Sequence, residues 1–185
     1  MPILGTIASS RRSSAPTPID AYDSIATVTP SGNTTAVFSS IPSTYKHLQI
    51  RFSTGADNSA NFIQYNFNGD NTTTNYATHI IYVTGSTSIS SFTATSTSGR
   101  AYHLFDVSNG SRGLTVGILD ILDYTDSNKY KVSKLTYGFD NAGGYREHGT
   151  MSGLWMSTNA INNITFTLSS NFPANTVFAL YGIKN

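Results

Sequence analysis

The chain has 185 residues, a formal net charge of +1, no cysteine and only 11% charged residues, against roughly 25% in an average soluble domain. That length suits one domain with a real core, and the missing cysteines exclude disulfides and thiolate metal sites. So neutral a balance gives electrostatic recruitment to nucleic acid or to an anionic membrane nothing to act on, and neither is expected as a partner. Serine and threonine, 25 of each, supply the polar surface, and 12% aromatic residues complete an all-β composition.

Residues 1–20 differ from the rest. A small apolar start (Ile3, Leu4, Ile7) precedes Ser9-Ser10-Arg11-Arg12-Ser13-Ser14-Ala15-Pro16-Thr17-Pro18, which can continue neither a helix nor a central strand. The segment reads as an extended N-terminal arm ahead of a domain spanning 21–185. Met1-Pro2-Ile3-Leu4-Gly5 lacks the basic region and long apolar core of a secretory signal, and no apolar run approaches the roughly 18 residues of a membrane span. The Asn33, Asn71 and Asn163 triplets match the glycosylation pattern, as a threonine-rich chain does by chance.

From Ala21 short strand-like runs alternate with turn clusters. Tyr22–Thr29 and Val37-Phe38 come first. Tyr45–Phe52 then alternates cleanly, with Leu48, Ile50 and Phe52 inward and His47, Gln49 and Arg51 outward. Phe62–Phe67 places Ile63, Tyr65 and Phe67 on one side, and Asn68-Gly69 is the pair a tight hairpin prefers. His79–Val83 follows, then a weakly patterned Thr84–Gly99 that suggests an edge strand and loop. Tyr102–Val107 leads to Gly113–Tyr124, the most concentrated apolar run, read as a central strand with Leu114, Val116 and Ile118 on its buried face. Its paired apolar residues, Ile118-Leu119 and Ile121-Leu122, are also compatible with a helical turn, a bulge or burial on both faces. Tyr130–Phe139, Met151–Met156, Ile161–Leu168 and Thr176–Ile183 bring the number of strands to about ten, the last two patterned as Ile164, Phe166, Leu168 and as Val177, Ala179, Tyr181, Ile183. Even spacing without a crossover helix predicts an antiparallel two-sheet β-sandwich, jelly-roll-like in topology.

Few residues suggest chemistry. Asp120, Asp123 and Asp126, with Asp140 farther on, could hold calcium, but their every-third spacing is not that of a calcium loop and suits turn residues closing a strand. His47, His79, His103 and His148 have no metal-ligand spacing, and Glu147-His148 falls in an expected loop. No nucleophile elbow, phosphate loop or dinucleotide fingerprint is present, so no enzyme activity, catalytic residue, cofactor or metal is predicted. Surface contact is the better use of the aromatics. Trp155 is read with equal weight as an outward contact residue or a core anchor, and Tyr145 and Arg146 close a long Gly-rich loop from Tyr137.

The opening Met1–Ser10, the block Ser39–Arg51, Asp120-Ile121-Leu122-Asp123-Tyr124 with Asn128-Lys129-Tyr130-Lys131, Gly153-Leu154-Trp155-Met156 and the ending Phe178–Lys184 together resemble small virion structural proteins of tailed bacteriophages. The resemblance runs nearly the full length. It implies a component of the particle exterior without assigned chemistry: a capsid decoration (cement) protein, or a tail- or fibre-associated adhesin that binds host glycan. Under the first expectation Ile3, Leu4 and Ile7 dock in apolar grooves while Arg11 and Arg12 meet carboxylates. The partners are then the major capsid protein and copies of the chain itself, a homo-oligomer with a trimer as first guess. Under the second, Trp155, Tyr145 and Thr84–Gly99 face the sugar.

Overall fold

The computed structural model describes residues 21–55, 62–72, 74–84, 89–102, 114–140 and 146–184. The arm residues Ile3, Leu4, Ile7, Arg11 and Arg12, and also His103 and Tyr145, lie outside them. Within the described residues the chain is all-β, with strands β1 (Tyr22–Val28), β2 (Thr35–Phe38), β3 (His47–Thr54), β4 (Phe62–Phe67), β5 (Tyr76–Thr84), β6 (Ile89–Ser96), β7 (Gly99–Tyr102), β8 (Thr115–Ile121), β9 (Lys131–Asp140), β10 (Arg146–Trp155), β11 (Ile164–Thr167) and β12 (Val177–Ile183). An eight-stranded antiparallel sheet has the order β1-β12-β3-β8-β9-β10-β5-β6, and a four-stranded one the order β2-β11-β4-β7.

The pairing is nested. β1 pairs β12, β2 pairs β11, β3 pairs β8 and β4 pairs β7, with successive pairs falling in alternate sheets. Ladders β12–β3 and β11–β4 then join the pairs within each sheet. The remaining strands, β9–β10 and β5–β6, extend the large sheet beyond β8.

The inner faces meet over one core. Phe166 of the small sheet stacks on Phe178 of the large one with ring centroids 4.7 Å apart, and Phe172 meets Phe178 edge-on at 5.4 Å. Farther along, Tyr65 crosses from β4 to share a 2.9 Å hydrogen bond with Ser133 of β9. Burial of that phenol pushes its pKa up to about 12. β3 and β4 keep the predicted faces: Leu48, Ile50, Phe52, Ile63, Tyr65 and Phe67 are all buried.

One row of the large sheet alternates aromatic residues with glycine. Phe52 of β3 lies opposite Gly117 of β8, which faces Tyr137 of β9, which faces Gly149 of β10. Each ring lies over the neighbouring glycine: a Cβ at Gly117 would stand 2.3 Å from Phe52, and one at Gly149 2.5 Å from Tyr137. Gly117 must therefore point inward, and this reverses the predicted face of β8. Thr115, Leu119 and Ile121 are buried, whereas Val116 and Ile118 are outside at 55% and 43% exposure. β12 is arranged likewise, with Phe178 and Leu180 in the core and Val177 outside.

Other differences are local. Asn68 and Gly69 both have positive φ, 54° and 68°, and Asp70 N–H closes the turn on Phe67 O at 2.9 Å, as the Asn-Gly pair requires. No hairpin results, because β5 leaves for the other sheet while β4 pairs β11 and β7. Of the expected loop from Tyr137 to Arg146, the first four residues belong to β9, which runs to Asp140, and Arg146 opens β10; residues 141–145 lie outside the described ones.

Candidate functional site

The outer face of the large sheet carries a chemically distinctive surface. Antiparallel register places Val116 beside Gly138, Gly138 beside His148, and His148 beside Val83. The next row is Arg51, Ile118, Thr136, Thr150 and Ile81. Val116, Ile118, Ile81 and Val83 are all exposed, and among the described residues no further layer covers them. They form two apolar pairs, Val116 with Ile118 on β8 and Ile81 with Val83 on β5, separated by Gly138, Thr136, His148 and Thr150. Exposed apolar pairs of this kind suit an interaction surface.

At the centre of these rows is a groove of about 450 Å³, lined by Val116, Ile118, Thr136, Gly138, His148 and Arg51. Gly138 makes the depression. A Cβ there would meet only Glu147 O and His148 Nδ1 at 3.6 Å, ordinary contact, whereas at Gly99, Gly117, Gly149, Gly153 and Gly182 it would collide with a side chain at 2.1–2.5 Å. Packing thus explains those five glycines and not Gly138. A glycine inside a strand costs roughly 0.5–1 kcal/mol relative to alanine, so its presence without a steric reason favours the groove as a used feature.

A polar band borders the groove. The Arg51 guanidinium lies over Tyr181 at 4.9 Å and over Tyr22 at 5.3 Å, and its Nε donates to Gln49 Oε1 at 2.8 Å. Gln49 Nε2 in turn donates to Asp120 Oδ1 at 2.7 Å, and Lys134 is Asp120's neighbour in register. Asp120 is thus part of a cross-strand network.

At the end of β8, Asp123 sits with φ of 46° in a knot of cations. Lys129 and Lys46 bridge its carboxylate, Lys46 at 2.9 Å, and the Asp123 N–H donates to His47 Nδ1 at 3.0 Å. Those hydrogen bonds, first from Lys129 and then from Lys46, hold its pKa down at about 2. Asp126 also meets Lys129, at 3.6 Å, and accepts from Asn128 N–H. Among the described residues no three acidic or histidine side chains group as a metal would need. A carboxylate whose folded pKa lies below its unfolded value adds stability above the unfolded value, and that stability is lost as pH falls through the folded one. The melting temperature is therefore expected to fall between about pH 4 and pH 2, and less steeply in Asp123→Asn. Equal acid sensitivity of the two proteins would refute the assignment.

Of the two readings of Trp155 the structure selects the core anchor, and it moves Glu147 out of the expected loop. Trp155 is not a surface contact: it is 2% exposed, stacked on Tyr76 at 6.4 Å and edge-on to Phe67 at 5.5 Å, and its Nε1–H donates to Asp70 Oδ2 at 2.7 Å. Burial pushes the Asp70 pKa up, but donors on Asn75, Trp155 and Thr72 together outweigh it and hold the carboxyl well below its usual range. Glu147 is not in a loop; it is buried in β10 and accepts from Tyr137 O–H at 2.6 Å. Arg146 opens β10 and is exposed, whereas His79 and His148 are exposed on the outer face. Val116, Ile118, Ile81 and Val83 were absent from the predicted site. For Val116 and Ile118 the one hint was the presence of apolar residues on both faces of the run from Leu114 to Leu122.

Comparison with protein-family models, with curated proteins and with solved structures returns no match to this chain.

Proposed function

We propose that the protein is a structural component of a phage particle, a decoration or cement protein that binds the outer shell through residues 1–20 and covers a joint between capsomers as a homo-oligomer. The observation that carries this reading is the outer face of the large sheet, where exposed Val116, Ile118, Ile81 and Val83 and a groove bordered by Val116 and Ile118 face solvent. Such a face suits a protein that works by lying against other subunits. The low charge agrees with a role in assembly.

The nested pairing supports a finer reading of the fold. Four antiparallel pairs, laid alternately into two sheets and closed by β12–β3 and β11–β4, have the strand order of a jelly roll, an architecture common in viral shells and lectins. The β5–β6 and β9–β10 strands then read as additions to one sheet. The glycan-binding alternative loses Trp155 as a stacking residue, since its ring is buried.

Deletion of residues 1–20 tests the function. The truncated protein is expected to keep its β-sheet circular dichroism while losing cosedimentation with particles that lack the protein. Undiminished cosedimentation would sink the proposal.

A further inference from the structure

The groove on the outer face has a candidate occupant within the chain. We infer that it seats the apolar segment Ile3-Leu4-Gly5-Thr6-Ile7 of the same molecule when the protein is off the particle, so that the arm is stored on its own sheet until a shell takes it up. This rests on the reading of residues 1–20 as an apolar docking arm, and it adds where that arm goes in the free subunit.

Position and length make the return possible. The arm joins β1 at the edge of the large sheet, and Tyr22 already lies on the outer face against Arg51. Tyr22 is level in register with Ile183 and His47, whereas the groove row containing Val116 is level with Ser53. Six residues along a strand and three strand spacings across separate them, about 24 Å in all. Between Ile7 and Tyr22 there are about fifteen residues, with an r.m.s. span of roughly 20 Å and a fully extended reach of about 50 Å. A linker whose r.m.s. span matches the gap gives the highest effective concentration, so the chain's own arm outcompetes a neighbour's in dilute solution.

Chemistry points the same way. The groove presents Val116 and Ile118 to an apolar ligand, and its volume lies within the roughly 300–1,000 Å³ of small ligand clefts. Arg11 and Arg12 lie between the apolar segment and β1 in sequence, and the way back from the groove to Tyr22 crosses the row of Gln49 and Asp120, where a carboxylate can receive them. Gly138 has no packing reason to be glycine, and a side chain there would occupy the seat.

The absence of native cysteine makes the test direct. In the purified full-length chain, Leu4→Cys is paired with Thr136→Cys in the groove or with Ser152→Cys, exposed on the same face away from it. Mild oxidation is expected to give an internally bridged monomer about tenfold faster for position 136 than for 152. Adding Gly138→Leu should bring the 136 rate down to that of 152 without lowering the melting temperature. Ile118→Lys, at an exposed position, serves as a second blocker should Gly138→Leu misfold. Equal rates at the two positions, or a 136 rate that neither blocker changes, would overturn the inference. A bridged dimer in place of the monomer would also overturn it and make the groove a contact between copies. No particle enters this experiment, so its failure leaves the arm-deletion result standing.

Discussion

Trp155→Ala is expected to remove a large fraction of the protein's stability, roughly 3–5 kcal/mol. That is the cost of truncating a fully buried tryptophan, out of a total that for most domains is only about 5–15 kcal/mol. Here the packing loss falls on the stack with Tyr76 and the edge contact with Phe67, which join β5 and β10 of the large sheet to β4 of the small one. The indole also holds the turn after β4. Its N–H and the Asn75 side chain both donate to Asp70 Oδ2, at 2.7 and 2.9 Å, while Thr72 N–H donates to Oδ1. Trp155→Phe separates the two effects, because it keeps an aromatic ring but leaves Asp70 with Asn75 and Thr72 alone. It is expected to cost about 2 kcal/mol, chiefly for a lost hydrogen bond to a charged acceptor. Urea denaturation of both variants measures the difference. A cost for Trp155→Ala no greater than that for Trp155→Phe would mean that packing against Tyr76 and Phe67 contributes little.

The second large effect is expected at Lys131. This side chain is 1% exposed, and its Nζ donates to the carbonyls of Asp126 at 2.5 Å, Lys129 at 3.0 Å and Thr158 at 3.0 Å. Burial pulls its pKa below the usual lysine value. With carbonyls as its acceptors, the ammonium ties the turn between β8 and β9 to the segment that follows β10. Lys131→Met keeps the aliphatic stem but leaves three acceptors without their donor. Each unsatisfied buried acceptor costs roughly 1–3 kcal/mol, less where water can enter, so a total of about 3 kcal/mol is expected. Hydrogen exchange should show protection lost first in residues 125–130 and 157–160, ahead of the core strands. Unchanged stability together with unchanged protection there would rule the staple out.

These two residues mark what could be read from the chain. Trp155 had two equal readings because Leu154 and Met156 on either side are apolar too, and alternation carries no information where every residue is apolar. Lys131 was legible only as a charged residue at the start of a strand, since its three acceptors come from a turn before it and a segment more than twenty residues after it. Asn68-Gly69 shows the same division. The pair dictated its own turn, but the side chains that send the strand after it to the other sheet, Trp155 among them, lie far away in sequence.

By itself the sequence determined the all-β class, the position of most strands and the inward faces of β3, β4 and β11, because there polar residues alternate with apolar ones and only one face can be buried. For β8 and β12, where both faces are apolar, it pointed to the wrong one. The tertiary structure decided those through the ring of Phe52, which needs Gly117 inward, and through the Phe166–Phe178 stack, which needs Phe178 inward. The outer apolar face and its groove follow from that choice, since Val116 and Ile118 are exposed only because Gly117 must face the core.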